Sequence, residues 1–383
     1  MKTGIPISPA VLKWAREQQG LSLEEVSVFF KKDIEIVSSW EEGLLNPSYS
    51  QLEKLAYTLY KRPIALFFFP NPPQEKSLAK SFRTLPTTEI DKIPSKLRTL
   101  IRKAKAMQIG ICELVEQKTM VLKDFETSPS LPLEDITQAV REYLDIPLEK
   151  QYSWKDDSEA LLEWRRAIEK KGVFVFKEAF HTDKYSGFCL HDDYFPLIYI
   201  NNTQSKNRQI FTLFHEFAHL LFGVGGIEIP DDSYISTLHG EAKLIEIICN
   251  KFAGSFLVPE DAFQKDIENQ TVSEDLINSL SVQYKVSREV ILRRFFSQGL
   301  ITSEKYRYFV EKWKMQGKEK KTKKGGGDYY NNQGVYISEH YANIVFQKYY
   351  NNRLSLSDVA NYLGVKVKNV EGIETSFLKK QFA

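Results

Sequence analysis

The chain has 383 residues, of which 42% are hydrophobic and 13% aromatic. We expect two or three domains, because one core rarely serves so long a chain. The formal net charge is only +2, which excludes a protein that coats nucleic acid along its whole surface. Three scattered cysteines make neither a disulfide framework nor a cysteine-rich zinc site. The sequence contains no long apolar stretch and no signal-peptide core, so we expect a cytoplasmic protein without membrane contact.

Residues 1–73 are predicted to form a five-helix helix-turn-helix domain, because five short helical patterns follow one another there. Each pattern begins at a capping residue or a proline. These starts are Ser8 or Pro9, Ser22, Asp33, Pro47-Ser48 and Pro63. At Ser22 the sequence predicts a capping box with Glu25.

The charge of this domain does not decide whether its binding partner is DNA or a protein. Residues 1–73 contain eight basic and eight acidic residues, and the presumptive recognition helix has acidic residues but no lysine or arginine. DNA-binding surfaces are usually basic. Ser38 and Ser39 could contact bases of double-stranded DNA, with Lys31 and Lys32 as the main phosphate contacts. Docking of a protein, or homodimerisation, is an equal alternative.

A linker is predicted at 74–95, where Asn71-Pro72-Pro73 is followed by a polar stretch. Helical patterns then cover 96–122 and 158–171, and short strands are predicted at 173–177, 186–191 and 197–201. The last two strands are predicted to form a β-hairpin.

The next helix contains the segment His215-Glu216-Phe217-Ala218-His219. Two histidines four residues apart project from one helix face and can share one metal ion. Glu216 lies off that face, where it can act as a general base, and this is the spacing of metallopeptidases. The alternative is a core helix with two satisfied histidines. It is disfavoured because two imidazoles and a carboxylate among apolar residues cost several kcal/mol when unpaired.

A catalytic zinc ion usually has three protein ligands, so a third must follow. The metzincin pattern is excluded, because it needs glycine and histidine where this chain has Phe222 and Gly225. The remaining candidates are Glu228, Asp231, Asp232, His239, Glu241 and Glu246.

Glu246 is the preferred third ligand. A helix is predicted at 241–258, and the face around Glu246 carries the small residues Ala242, Cys249, Asn250 and Ala253. Small residues let two helices approach closely, and a cation between the helices would neutralise the acid. A salt bridge to a lysine or arginine is the alternative, and His239 is the second choice of ligand. Asn250 is placed to hydrogen-bond a ligating imidazole.

Together these residues predict a zincin-like metallopeptidase domain over 96–272 that binds one Zn²⁺. Glu216 would transfer the proton during peptide hydrolysis. A further donor must stabilise the oxyanion. Tyr185 and His191 are candidates for that donor or for substrate contacts, although both also fit purely structural roles.

The rest of the chain is predicted to be helical. Residues 273–312 form a helix-turn-helix-like segment, residues 313–327 a basic linker that ends in glycines, and residues 328–383 a small helical region. The expected fold class is therefore α+β and mostly α.

These residues resemble the ImmA/IrrE family of metallo-endopeptidases, in the long form with an N-terminal Xre-type helix-turn-helix. The resemblance rests on ordered motifs at 9–16, 40–43 with Pro47, 61–70, 82–86, 186–192, 211–219, 246–253 and 257–259. It implies a zinc ligand at Glu246. Cys249 stands where the family usually has alanine.

The resemblance also implies a function. Such a protein would cleave a specific regulatory protein, such as a partner repressor, in a stress, mobile-element or toxin–antitoxin context. The alternative is a DNA-binding transcriptional regulator or toxin–antitoxin component whose zinc site is structural or sensory.

Overall fold

The computed structural model describes residues 5–75, 78–82, 85–123, 131–230, 232–319 and 336–381. The described part is mostly helical with one four-stranded sheet, in agreement with the predicted α+β class. The chain divides into two compact units. The first combines Met1–Lys80 with Leu85–Ala106, and the second combines Ser81–Thr84 with Met107–Ala383.

The first unit begins with short capped helices. Their bounds are α1 Pro9–Gln19, α2 Leu23–Phe30, α3 Ile34–Glu41 and α4 Tyr49–Glu53, followed by a π-helical turn at Lys54–Leu59 and a 3₁₀ helix at Ile64–Phe68. The Ser22–Glu25 capping box is present as predicted. Asp33 precedes α3 but makes no capping hydrogen bond, and the predicted fifth helix is only the 3₁₀ helix. The core of the unit contains Val26, Trp40 and Phe67.

The segment 74–95 is not the linker that its polar composition predicts. It contains two short helices, α5 Leu78–Ser81 and α6 Thr87–Asp91. Leu85, Ile90 and Ile93 are buried. These few apolar side chains are enough to anchor an otherwise polar segment.

Helix α7 (Ser95–Leu114) crosses the boundary between the two units and ends earlier than the predicted residue 122. Its first half belongs to the first unit, where the Gln19 side-chain amide donates to the backbone carbonyl of Ser95 at 2.8 Å and to Thr99 Oγ1 at 2.7 Å. The compact units therefore divide the chain differently from the predicted domains 1–73 and 96–272.

The sheet lies in the second unit, with strand order β1-β3-β2-β4. Its strands are β1 Phe174–Glu178, β2 Gly187–Leu190, β3 Leu197–Asn201 and β4 Ile227–Glu228. Strands β2 and β3 form the predicted antiparallel hairpin, in which Cys189 lies opposite Ile198. Strand β1 pairs with β3 in parallel, and the unpredicted β4 pairs with β2 at the edge of the sheet.

Helices surround this sheet. Within the predicted peptidase domain they are α8 Leu133–Leu144, α9 Leu148–Ser153, α10 Asp157–Lys170, α11 Lys206–Leu221, α12 Gly240–Leu257 and α13 Glu260–Ile267, with a 3₁₀ helix at Asp232–Thr237. The rings of Trp164, Phe214 and Phe256 meet in the core between α10, α11 and α12, with centroids 4.3–5.3 Å apart. This packing fixes α11 against α12.

The remaining helices are α14 Glu274–Tyr284, α15 Arg288–Ser297, α16 Ser303–Glu319, α17 Glu339–Tyr350, α18 Leu356–Leu363 and α19 Val370–Gln381, with a 3₁₀ turn at Val367–Asn369. Helices α14 and α15 are separated by a short turn from Lys285 to the N-cap residue Ser287. The first part of the predicted basic linker at 313–327 is helical instead and belongs to α16, where Trp313 Nε1 donates to Glu274 Oε1 at 2.9 Å. From residue 320 on, that linker lies outside the described residues.

The C-terminal helices pack onto the same unit as the sheet. The buried carboxylate of Glu169 in α10 accepts hydrogen bonds from the backbone N–H groups of Glu339 and His340 at the start of α17. These N–H groups have no partner within their own helix, and Glu169 satisfies them. Within the described residues, no helix has the length and apolar character needed to cross a membrane.

Candidate metal centre

Helix α11 carries the two predicted metal-binding histidines into the interior. Ser205 caps the helix by accepting from the backbone N–H of Arg208, and every residue from 209 to 221 is buried. The helix packs against α10, α12 and β2. The polar residues of the motif therefore lie in a setting where each needs a partner.

His215, His219 and Glu246 come together at the contact between α11 and α12. The Nε2 atoms of the two histidines are 3.1 Å apart. Glu246 Oε2 lies 3.6 Å from His215 Nε2, and Glu246 Oε1 lies 3.5 Å from His219 Nε2. All three side chains are at most 1% exposed. One ion could contact all three residues, because their ligand atoms lie within 4.8 Å of one another.

The surroundings of Glu246 fit a bound cation. Burial alone would raise the pKa of this carboxyl, but the neighbouring imidazoles of His219 and His215 outweigh burial and lower the pKa. Within the described part of the chain, no lysine or arginine pairs with Glu246. The salt bridge that the sequence left open as an alternative is therefore not formed there. Two imidazoles and one carboxylate form a donor set that suits zinc.

Two further side chains contact the candidate ligands. Asn250 Oδ1 lies 3.1 Å from His215 Nδ1. An N–H at Nδ1 leaves the lone pair at Nε2 free for a metal. The hydroxyl of Tyr234 donates to Glu246 Oε2 at 2.8 Å. No sequence pattern indicated Tyr234, because it lies in a short 3₁₀ helix without periodicity.

Glu216 is fully buried on the side of α11 that faces the sheet. A Cβ atom on Gly187 of β2 would lie 3.4 Å from Glu216 Cγ, so the glycine makes room for this side chain. Neither carboxylate oxygen has a hydrogen-bond partner of standard geometry among the described residues. Burial raises the pKa of Glu216 to about 8, the charges of Glu228 and Glu246 add to that rise, and His219 and the thiol of Cys189 oppose it.

Among the described residues, the other ligand candidates are not part of the cluster of His215, His219 and Glu246. Glu228 lies in β4 and pairs with Arg208 of α11. His239 is the exposed N-cap residue of α12, and Glu241 is exposed in its first turn. Asp232 begins the 3₁₀ helix, and Asp231 lies outside the described residues.

Tyr185 and His191 flank strand β2. Tyr185 is fully buried, and its backbone carbonyl accepts from the Asn201 side chain at 2.9 Å. His191 is about one-third exposed, with Nε2 4.0 Å from Asp193 Oδ1.

The residues proposed for DNA contact lie around α3. Lys31 ends α2 in the left-handed conformation (φ 51°), and Lys32 follows it in the turn. Ser38 Oγ donates to Glu42 Oε1 and Ser39 Oγ donates to the backbone carbonyl of Glu35, both at 2.6 Å. Both serine hydroxyls are thus engaged within the helix.

Residues 168–296 match the family model of the IrrE N-terminal-like domain, Peptidase_M78. The match supports the ImmA/IrrE family. It spans all four strands together with α11 and α12, and thus every residue of the candidate metal centre. A metallopeptidase family implies a metal ion and a protein substrate. Residues 1–167 lie outside the match, and a comparison with curated proteins finds no relative of the chain.

Proposed function

We propose that this protein is a zinc-dependent endopeptidase with His215, His219 and Glu246 as its zinc ligands and Glu216 as its proton carrier. The observation that carries the proposal is the convergence of two imidazole nitrogens and one carboxylate in a buried site without a lysine or arginine partner among the described residues. A His₂Glu set is one that catalytic zinc uses, with one position left for water or substrate.

When bound, zinc lowers the pKa of water and polarises the carbonyl group of the scissile peptide. Glu216 then accepts a proton from the attacking water at a carboxylate oxygen and delivers it to the leaving amide nitrogen. Its carboxylate oxygens are available for this transfer, because neither makes a standard hydrogen bond within the described residues. Asn250 keeps the His215 ring oriented through Nδ1.

The proposed substrate is a specific regulatory protein in the cytoplasm, such as a partner repressor. The first compact unit, which lies outside the peptidase family match, is proposed to select the target. That target is either operator DNA or the partner protein. Because residues 1–73 carry equal numbers of acidic and basic residues, any DNA affinity should be modest and should fall as salt rises.

Co-expression with genes neighbouring its own locus, followed by mass spectrometry of the products, tests this function. The wild type should generate a fragment that Glu216→Gln does not generate, although Glu216→Gln should retain its metal. His219→Ala should lose the metal, as measured by elemental analysis of the purified protein. Cleavage that persists in Glu216→Gln would disprove the mechanism, and full zinc occupancy in His219→Ala would disprove the ligand assignment.

One observation favours a second function, that of a regulator whose zinc site is structural or sensory. The ligand side chains are at most 1% exposed, and structural zinc sites are closed whereas catalytic sites keep an open position. In that case Glu216→Gln would leave every activity unchanged, while His219→Ala would unfold the domain or abolish its response to zinc.

A further inference from the structure

Tyr234 is the one side chain that reaches the third candidate ligand from outside α11 and α12 in the described structure. It lies in the 3₁₀ helix Asp232–Thr237, which connects β4 to α12, and it is only 9% exposed. Ile235 and Leu238 of the same connection are also buried, so the hydroxyl is held at the site by apolar packing. It donates to Glu246 Oε2 at 2.8 Å.

This hydrogen bond makes the two oxygens of Glu246 unequal. Each oxygen lies close to one imidazole, Oε2 3.6 Å from His215 Nε2 and Oε1 3.5 Å from His219 Nε2. Only Oε2 also accepts from the phenol, whereas Oε1 makes no standard hydrogen bond within the described residues. A carboxylate oxygen that accepts a strong hydrogen bond is a poorer metal ligand than its free neighbour, because the bond draws electron density from its lone pairs.

We propose that Tyr234 is a positioning residue that holds Glu246 so that it binds the metal through Oε1 alone. This inference rests on the proposed function, in which Glu246 is a zinc ligand. A carboxylate bound through one oxygen leaves one coordination position more than a carboxylate bound through two. Tyr234 therefore preserves the position that water or substrate needs.

The arrangement at His215 supports this role. Asn250 binds the nitrogen of His215 that faces away from the cluster, just as Tyr234 binds one oxygen of Glu246. In each case a neutral side chain occupies one polar atom of the ligand and leaves the other for the metal. Residues that orient metal ligands in this way typically change metal affinity about 10–100-fold when they are removed.

The test compares Tyr234→Phe with Tyr284→Phe in the full-length protein. Tyr284 is a matched control, because its hydroxyl also donates to a carboxylate (Asp266 Oδ2, 2.7 Å) but that carboxylate is not part of the candidate centre. Zinc affinity is measured by competition with a chromophoric chelator. Visible absorption of the cobalt(II)-substituted protein reports the coordination number, and thermal unfolding of the metal-free protein reports the fold.

We expect Tyr234→Phe to bind zinc about 10–100-fold more weakly. Its cobalt(II) absorption should be weaker than that of the wild type, because a carboxylate bound through both oxygens raises the coordination number above four. Tyr284→Phe should match the wild type in zinc affinity and in the cobalt(II) spectrum, whatever its effect on thermal unfolding.

Two results would overturn the inference. The first is an unchanged zinc affinity and an unchanged cobalt(II) spectrum in Tyr234→Phe. This holds even if substrate cleavage slows in that variant, since the hydroxyl would then act on the substrate and not on the metal site. The second is an equal loss of affinity in both variants, since loosening of the domain would explain it. A wild type that binds no zinc would instead refute the proposed function itself, so the two failures are distinguishable.

Discussion

Substitution of Gly226 gives the sharpest test of the metal centre, because the space beside its Cα atom fits a hydrogen atom and nothing larger. A Cβ atom at this position would lie 2.4 Å from Cδ2 of His219 and 2.7 Å from its Nε2, whereas ordinary contacts begin at 3.4 Å. The backbone cannot easily retreat, since the N–H of Gly226 donates to Cys189 Sγ and its carbonyl accepts from the Cys189 N–H. In Gly226→Ala the His219 ring must therefore move by about 1 Å.

A displacement of that size is large for a metal ligand, because metal–ligand distances hold to within about 0.2 Å. We expect zinc affinity to fall on the order of 100-fold, the upper end of the range for loss of a residue that orients a metal ligand. Overpacking should also lower the stability of the metal-free protein by about 1–3 kcal/mol. Chelator competition measures the first effect, and urea unfolding in the presence of a chelator measures the second.

Gly254→Ala in α12 is the matched control. A Cβ atom there would have no neighbour within 4 Å. Alanine should stabilise the helix by about 0.5–1 kcal/mol relative to glycine, and zinc affinity should not change. Wild-type zinc affinity in a folded Gly226→Ala protein would refute the argument, because His219 could not then be a ligand in the position described.

Two further predictions concern the units and the C-terminal helices. A fragment of residues 1–106 should unfold at a higher temperature than a fragment of residues 1–75, because α7 supplies hydrogen-bond partners for the buried side chain of Gln19. Equal unfolding midpoints would contradict this. Burial raises the pKa of Glu169 from 4.5 to about 7, so the folded state holds this proton more tightly than the unfolded chain. Its contribution to the free energy of unfolding should fall as pH rises from about 4.5 to 7, by up to about 3 kcal/mol. Urea unfolding of Glu169→Gln at several pH values should lack this fall, and an unchanged pH slope would show that another group causes it.

Much of the candidate site could be predicted from the sequence, because helical periodicity is a local property. The spacing of His215 and His219 and the small-residue face around Glu246 each depend on residues within a few turns. The hairpin could also be predicted from the sequence, since its two strands are adjacent in the chain and joined by a turn.

The missed features depend on contacts between distant segments. Strand β4 has only two residues, so it has no alternation to detect, and it exists because it pairs with β2. Tyr234 acquires its role only through the hydroxyl contact with Glu246. The polar average composition of the segment 74–95 predicts a linker, although a few apolar side chains such as Ile90 decide its packing.

The effect of a Glu216 substitution on protein stability can distinguish between the two proposed functions. Its carboxyl is fully buried and makes no standard hydrogen bond within the described residues. A buried polar group without such a bond costs about 1–3 kcal/mol. A site that only held a metal would be more stable with an apolar side chain at this position, whereas a peptidase needs the carboxyl despite its cost.

We therefore expect Glu216→Met, which keeps the length of the side chain, to be about 1–3 kcal/mol more stable than the wild type when both are metal-free. The same variant should retain zinc and lose cleavage. Urea unfolding in the presence of a chelator measures the stability difference at a pH near 7, where burial keeps much of the Glu216 carboxyl protonated because its pKa is about 8. A variant less stable than the wild type would show that the carboxyl supports the fold, and the structural or sensory role would then be the better account of the site.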